Sequence, residues 1–231
     1  MIFASRTALL LSASLVAIAG CERANRASSA LETTASASTD PAARNKAFWM
    51  WFESHASDVA TITTASEPIA DQLHAELSKV RNEITFELGL KETPRELIVS
   101  ADGIKAAFPA VESLVAAAPP LPGWKVIAFR QRRPGLAIQT GGVNLTPKDV
   151  KFISSSPSAG KVAVKIFVPG RTPANATDVD RAVLLLLDAA IGEYDVETRI
   201  GGIDITSVGD SAARDARALT ELPAVVDAMK K

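Results

Sequence analysis

The chain has a single cysteine, Cys21, among its 231 residues. No intrachain disulfide can staple the fold, so packing alone has to stabilise it. The cysteine also divides the chain. Before it, Arg6 is the lone positive charge, and residues 8–19 form an apolar run broken by Ser12 and Ser14. A bilayer-spanning helix needs roughly 20 apolar residues. The shorter run reads as a cleaved secretory leader covering residues 1–20. After it, residues 21–40 are rich in Ala, Ser and Thr without apolar periodicity. They read as a flexible tether, able to reach up to roughly 65 Å when extended. Residues 41–231 remain for a single domain with its own core, with a possible sub-boundary near 142–148.

The leader closes on Ile18-Ala19-Gly20-Cys21. This motif resembles the lipobox of bacterial lipoproteins. The resemblance implies a diacylglycerol thioether on Cys21, cleavage before it, and acylation of the new amino group. It implies a cell-envelope protein, anchored in a membrane by lipid and facing the periplasm. Ala17-Ile18-Ala19 could instead serve an ordinary signal peptidase, which would leave Cys21 as a free thiol.

Charge narrows the partners. Losing Arg6 with the leader takes the formal charge from −1 to −2. A near-neutral chain offers no broad basic footprint for nucleic acid. Two histidines, His55 and His74, make a zinc site improbable. No sequence signature calls for a metal or a cofactor, and none is expected. Gly141-Gly142 lacks the context of a dinucleotide turn.

Hydrophobic periodicity predicts an α+β fold. Asp40 and Pro41 suit the cap and first turn of a helix over 41–64. Its apolar residues Phe48, Trp51, Phe52, Val59 and Ile62 recur at helical steps. A second helix follows from Ser66, with Ile69, Leu73, Leu77 and Val80 inward, and the pair forms a helical hairpin. Strands are expected at 84–90, 96–101, 124–130 and 136–139, with a helix over 104–118. Further strands are expected at 148–154, 161–168, 194–200 and 203–208, with helices to about 191 and over 220–230. The two halves then read as a ββαββ pseudo-repeat. The sheet would be mainly antiparallel, with helices on one face and the other face free to meet solvent.

Three groups of residues could carry function. Phe48-Trp49-Met50-Trp51-Phe52 with His55 could present Trp49 as an aromatic binding patch, or simply wedge a helix into the core. Asp102 stands at a strand end before Gly103. It could hold a metal or act as a base, or it could cap the next helix. Arg130 and Arg132, on one face of an extended strand, could bind a small anionic ligand, or could guard a solvated sheet edge. No catalytic residue is assigned.

Residues 48–132 also resemble a family of uncharacterised bacterial proteins. The resemblance rests on Phe48-Trp49 and Trp51-Phe52 with His55, on the run from Arg95 to Ile104, on Phe108-Pro109-Ala110-Val111, on Ala118-Pro119-Pro120-Leu121 with Trp124, and on the run from Ala128 to Arg132. It implies no established activity. The leading expectation is a lipid-anchored envelope protein that binds a ligand or a protein partner. A hydrolase-type enzyme built on His55, Asp102 and Arg130, or a purely structural envelope component, are the alternatives.

Overall fold

A computed structural model describes residues 2–3, 40–64, 66–89, 92–158 and 160–229. Most of the leader, Cys21 and the tether to Thr39 lie outside the described residues. Ile2–Phe3 (β1) pairs antiparallel with Leu88 and Glu87.

The first half opens with α1, Pro41–Val59, capped by Asp40, whose carboxylate accepts from the Ala42 N–H at 3.0 Å. Phe48, Trp49, Phe52 and Val59 are its buried residues among the large apolar ones. Next comes α2, Pro68–Val80, which packs on α1 and buries Leu73, Leu77 and Val80. β2, Thr85–Leu88, pairs antiparallel with β3, Arg95–Ser100, from Thr85–Ser100 to Leu88–Leu97. A single 3-10 turn, Lys105–Ala107, leads into α3, Phe108–Ala116. The chain then returns as β4, Trp124–Ala128, parallel to β3. α1, α2 and α3 pack on the face that carries Phe86, Leu88, Leu97 and Val99. The opposite face carries Thr85, Glu87, Ile98 and Ser100. These are buried too, so this part of the sheet does not present the expected solvated face.

The second half starts with a small ribbon, β5 (Ile138–Thr140) and β6 (Val143–Leu145). β7, Lys151–Ser158, pairs antiparallel with β8, Lys161–Val168. α4, Ala176–Ile191, and α5, Glu193–Arg199, then carry the chain to β9, Ile200–Ser207, parallel to β8. β10, Arg217–Ala218, pairs on the far side of β7, and α6, Leu222–Ala228, closes the core. That core joins Val162, Val164, Ile166 and Val168 to Val183, Leu186, Leu187, Leu222 and Val226. Phe129 belongs to the first core and Ile138 to the second.

The class is α+β, with five of the seven strand pairings among the described residues antiparallel. In each half an antiparallel pair is followed by a helical crossover to a parallel strand, so the order is strand, strand, helix, strand. The strands expected at 194–200 and 203–208 do not form a pair turning at Gly201-Gly202, because both glycines lie inside β9. The stretch expected as a strand at 194–200 is α5. Its acids Glu193 and Asp195 meet the positive end of the helix dipole, and Arg199 pairs with Asp195 at 2.9 Å one turn later.

Candidate functional site

The two halves meet where the chain leaves β4. Phe129 has φ +61°, a left-handed conformation that a bulky side chain adopts at a cost of about 1–3 kcal/mol. Its ring packs on Phe108 at 4.4 Å and on Tyr194 at 5.7 Å, contacts from both halves that help hold it there. This kink ends the strand at Ala128. Arg130 and Arg132 therefore leave the sheet instead of lining one strand face as expected.

Arg130 is buried, with 7% of its surface exposed. Its Nε donates to Glu87 of β2, its Nη1 to Asp188 of α4 at 3.2 Å, and its Nη2 to Asp102 at 2.9 Å. Asp102 has φ +50° and sits in a turn with Gly103 at φ +78°. It faces Arg130 and is not the N-cap of either following helical segment, those being Ile104 and Ala107. Glu193, fully buried at the start of α5, ties the same turn down. Its carboxylate accepts from the N–H groups of Ala101 at 2.9 Å, Gly103 at 3.4 Å and Arg130 at 3.0 Å. In return the Arg130 carbonyl accepts from the Glu193 N–H at 2.9 Å. Gly192, with φ +87°, makes the turn between α4 and α5 that brings Glu193 here.

Electrostatics follow from burial. Burial pushes the Glu87 carboxyl above its ordinary range, although Arg130 opposes the shift. Burial also pushes Asp188 up, to about 8, against the pull of Arg130 and with the help of the Glu193 charge. Burial alone would lower Arg130, but the charges of Glu87, Asp188 and Glu193 outweigh it and hold the guanidinium firmly protonated.

The neighbouring arginines are also committed. Arg132 donates to Asp195 at 2.8 Å, to both oxygens of Asp227 at 2.9 Å, and to the Ile191 carbonyl at 2.8 Å. Arg133 pairs with Glu96, which also meets Lys125 at 3.2 Å. The Arg133 N–H donates to the Ala189 carbonyl at 2.7 Å, near the end of α4. The segment from Arg130 to Arg133 is thus a clasp between the halves. Its guanidinium groups are directed at the protein's own acids and carbonyls.

The remaining sequence candidates lie elsewhere. Trp49 is buried in the first core, and its indole N–H donates to the Leu114 carbonyl at 2.8 Å. The His55 ring stacks on Trp51 at 4.6 Å, and its Nδ1 contacts the Trp51 carbonyl and Ser54 within α1. The structure therefore joins Asp102 to Arg130, while the contacts of Trp49 and His55 are made with other partners. Among the described residues no group of three or more His, Cys, Asp or Glu side chains is arranged to hold a metal ion.

A cleft of about 360 Å³ opens where the end of α1 meets β3 and β4, lined by Ala56, Ser57, Ala60, Glu92, Thr93, Arg95, Pro122, Gly123 and Trp124. A second of about 180 Å³ shares Ala56, Pro122 and Trp124 and adds Glu53 and Leu121. Trp124 is half-buried, with Phe52 edge-on at 5.1 Å and the Arg95 guanidinium 6.0 Å from its ring. Arg95 is otherwise occupied. It donates to the carbonyls of Val59, Ala60 and Ile62 at the end of α1 and to that of Gly89.

Glu87, Asp188 and Glu193 were not singled out in the sequence, and Trp124 stood there only as part of a family resemblance. Asp188 carried a signal, a lone acid inside the apolar run Leu184-Leu185-Leu186-Leu187-Asp188-Ala189-Ala190-Ile191. An acid in such a run needs a buried partner. Glu87 looked like the polar member of an alternating strand, and nothing local marked it as buried. Searches with this chain found no matching family model, no matching curated protein and no matching solved structure.

Proposed function

We propose that this chain is a lipid-anchored protein of the bacterial envelope, held through Cys21 and facing the periplasm, and that it binds a protein partner in the cleft over Trp124. The anchor reading rests on the leader and on Cys21 at the head of a polar tether. Cleavage before Cys21 removes Ile2–Phe3 and leaves β2 as the edge of the first sheet.

The cleft over Trp124 carries the binding reading. It combines an indole with exposed carboxylates, Glu53 and Glu92, while Arg95 is directed at main-chain carbonyls. A basic side chain laid over the indole gains about 0.5–2 kcal/mol from the ring. The two acids add attraction at the rim, and Pro122 and Leu121 offer apolar contact. The fitting partner is a basic peptide segment with an apolar neighbour. Fluorescence anisotropy of dye-labelled Lys- and Arg-containing peptides, titrated with the full chain, tests this. A saturable change is expected in wild type, abolished in Trp124→Ala and weakened by Glu92→Gln. Binding that survives Trp124→Ala, or no binding of basic peptides at all, would overturn the cleft reading.

A further inference from the structure

Around Arg130 the count of buried charge does not balance. One guanidinium carries one positive charge. Glu87 and Asp188, exposed by only 1% and 7%, both point at it. Glu193 has its own donors in three main-chain N–H groups, and Asp102 reaches solvent with 40% of its side chain exposed. That leaves two buried carboxylates on the one buried cation they both contact, because the other guanidinium at this cavity, Arg133, is paired with Glu96. An uncompensated buried charge is strongly unfavourable, and a proton removes it.

The geometry offers a place for the proton. Glu87 spends one oxygen, Oε1, on Arg130, while its other oxygen, Oε2, is buried and has no hydrogen-bond partner among the described residues. A buried carboxylate oxygen without a donor is where a proton is most favourable. Glu87 also lines a cavity of about 10 Å³ with Arg133, Leu185 and Ala189. That is about the size of one water molecule, enough to meet a carboxylic O–H.

We propose that the joint between the two halves is a proton-binding site: Glu87 and Asp188 hold one proton between them at neutral pH, and its loss in mild alkali loosens the docking of α4 on the first sheet. The charged groups facing this pair come from every element around it. They are Arg130 and Arg133 after β4, Asp102 after β3 and Glu193 at the start of α5. The raised values of both carboxyls agree with this count.

The pH window follows from the sign of the shift. A carboxyl that holds its proton more tightly folded than unfolded makes stability fall as pH rises from its unfolded value, about 4, towards its folded one, with a limiting slope of about tenfold in the unfolding constant per pH unit. For this pair the fall extends to about pH 8, where Asp188 titrates.

Urea unfolding of the full chain at steps from pH 5 to 9, for wild type, Glu87→Gln and Asp188→Asn, is the test. The wild-type unfolding constant is expected to rise with pH by up to about tenfold per unit. At least one amide variant is expected to flatten that rise. A pH-independent wild type, or a slope that persists in both variants, overturns the proposal. If neither variant folds, carboxyl carbon NMR on the wild type decides it. A midpoint at or above pH 7 for the Glu87 or the Asp188 carboxyl supports the site, and midpoints below pH 7 for both overturn it.

Discussion

Arg95 and Arg130 are almost equally buried, with 5% and 7% of their surfaces exposed, yet they are neutralised by different means. Arg95 donates to four main-chain carbonyls, three of them at the open end of α1, where the helix dipole is negative. Burial lowers its proton affinity, with the more distant Glu67 opposing. Arg130 meets three carboxylates, two of them buried, and its proton affinity rises. A carbonyl cannot titrate in the physiological range and a carboxyl can. The first arginine therefore fixes a helix end at any ordinary pH, while the second makes a joint whose strength depends on protons.

The sharpest way to break this contrast is to remove the Arg130 cation. Arg130→Met leaves Glu87 and Asp188 buried without their counter-charge, a loss of about 3–5 kcal/mol at pH 7. The loss should shrink towards pH 5, because both carboxyls then take up protons and no longer need the guanidinium. Urea unfolding at the two pH values measures it. An equal loss at both would place Arg130 in the same class as Arg95.

Arg95→Met should cost less, about 2–3 kcal/mol, since it strips donors from neutral carbonyls that water partly satisfies. Its cost should stay constant from pH 5 to 9. Frayed amide exchange at the end of α1, around Val59 to Ile62, should accompany it, while amides in α4 keep their protection. Loss of protection in α4 as well would mean that the two arginines act as one unit.

The difference between the two sites also explains what the sequence could reveal. Asp40-Pro41, the apolar steps of α1 and the alternation near β3 are local patterns, and each produced an element close to where it was expected. The role of Arg95 could not be read this way, because three of its four carbonyl partners lie 33 to 36 residues earlier. Arg130 and Asp102 were visible as charged residues at strand ends. Their pairing, and the part played by Glu87 and Asp188, depends on β4 lying parallel to β3 and on α4 docking from the other half. Neither the direction of a strand nor the docking of a distant helix is encoded in local periodicity. Phe129 adds a further obstacle. A Phe inside an apparent strand gives no warning that it takes φ +61°, and that single residue turns Arg130 away from the sheet. The acidic start of α5 was legible in principle, but Tyr194, Val196 and Thr198 alternate as a strand would.

The Arg95 side does contain one group that titrates, and it supplies the smallest and most selective test. Glu67, in the link between α1 and α2, accepts from the Thr63 N–H at 2.6 Å, the Thr63 hydroxyl at 2.7 Å and the Thr64 N–H at 2.8 Å. These bonds, the Thr63 N–H foremost, hold its carboxyl down at about 2. A depressed value reverses the sign found at the joint. The stabilisation from Glu67 is complete above its unfolded value of about 4.3 and is lost as pH falls through about 2. Glu67→Gln should therefore be less stable than wild type at pH 5, and the two should converge as the pH approaches 2. At pH 8, close to the raised Asp188 value, the difference between Glu67→Gln and wild type should be the same as at pH 5. A difference that changes between pH 5 and 8 would show that the link after α1 senses the joint, and the two buried arginines would no longer be independent.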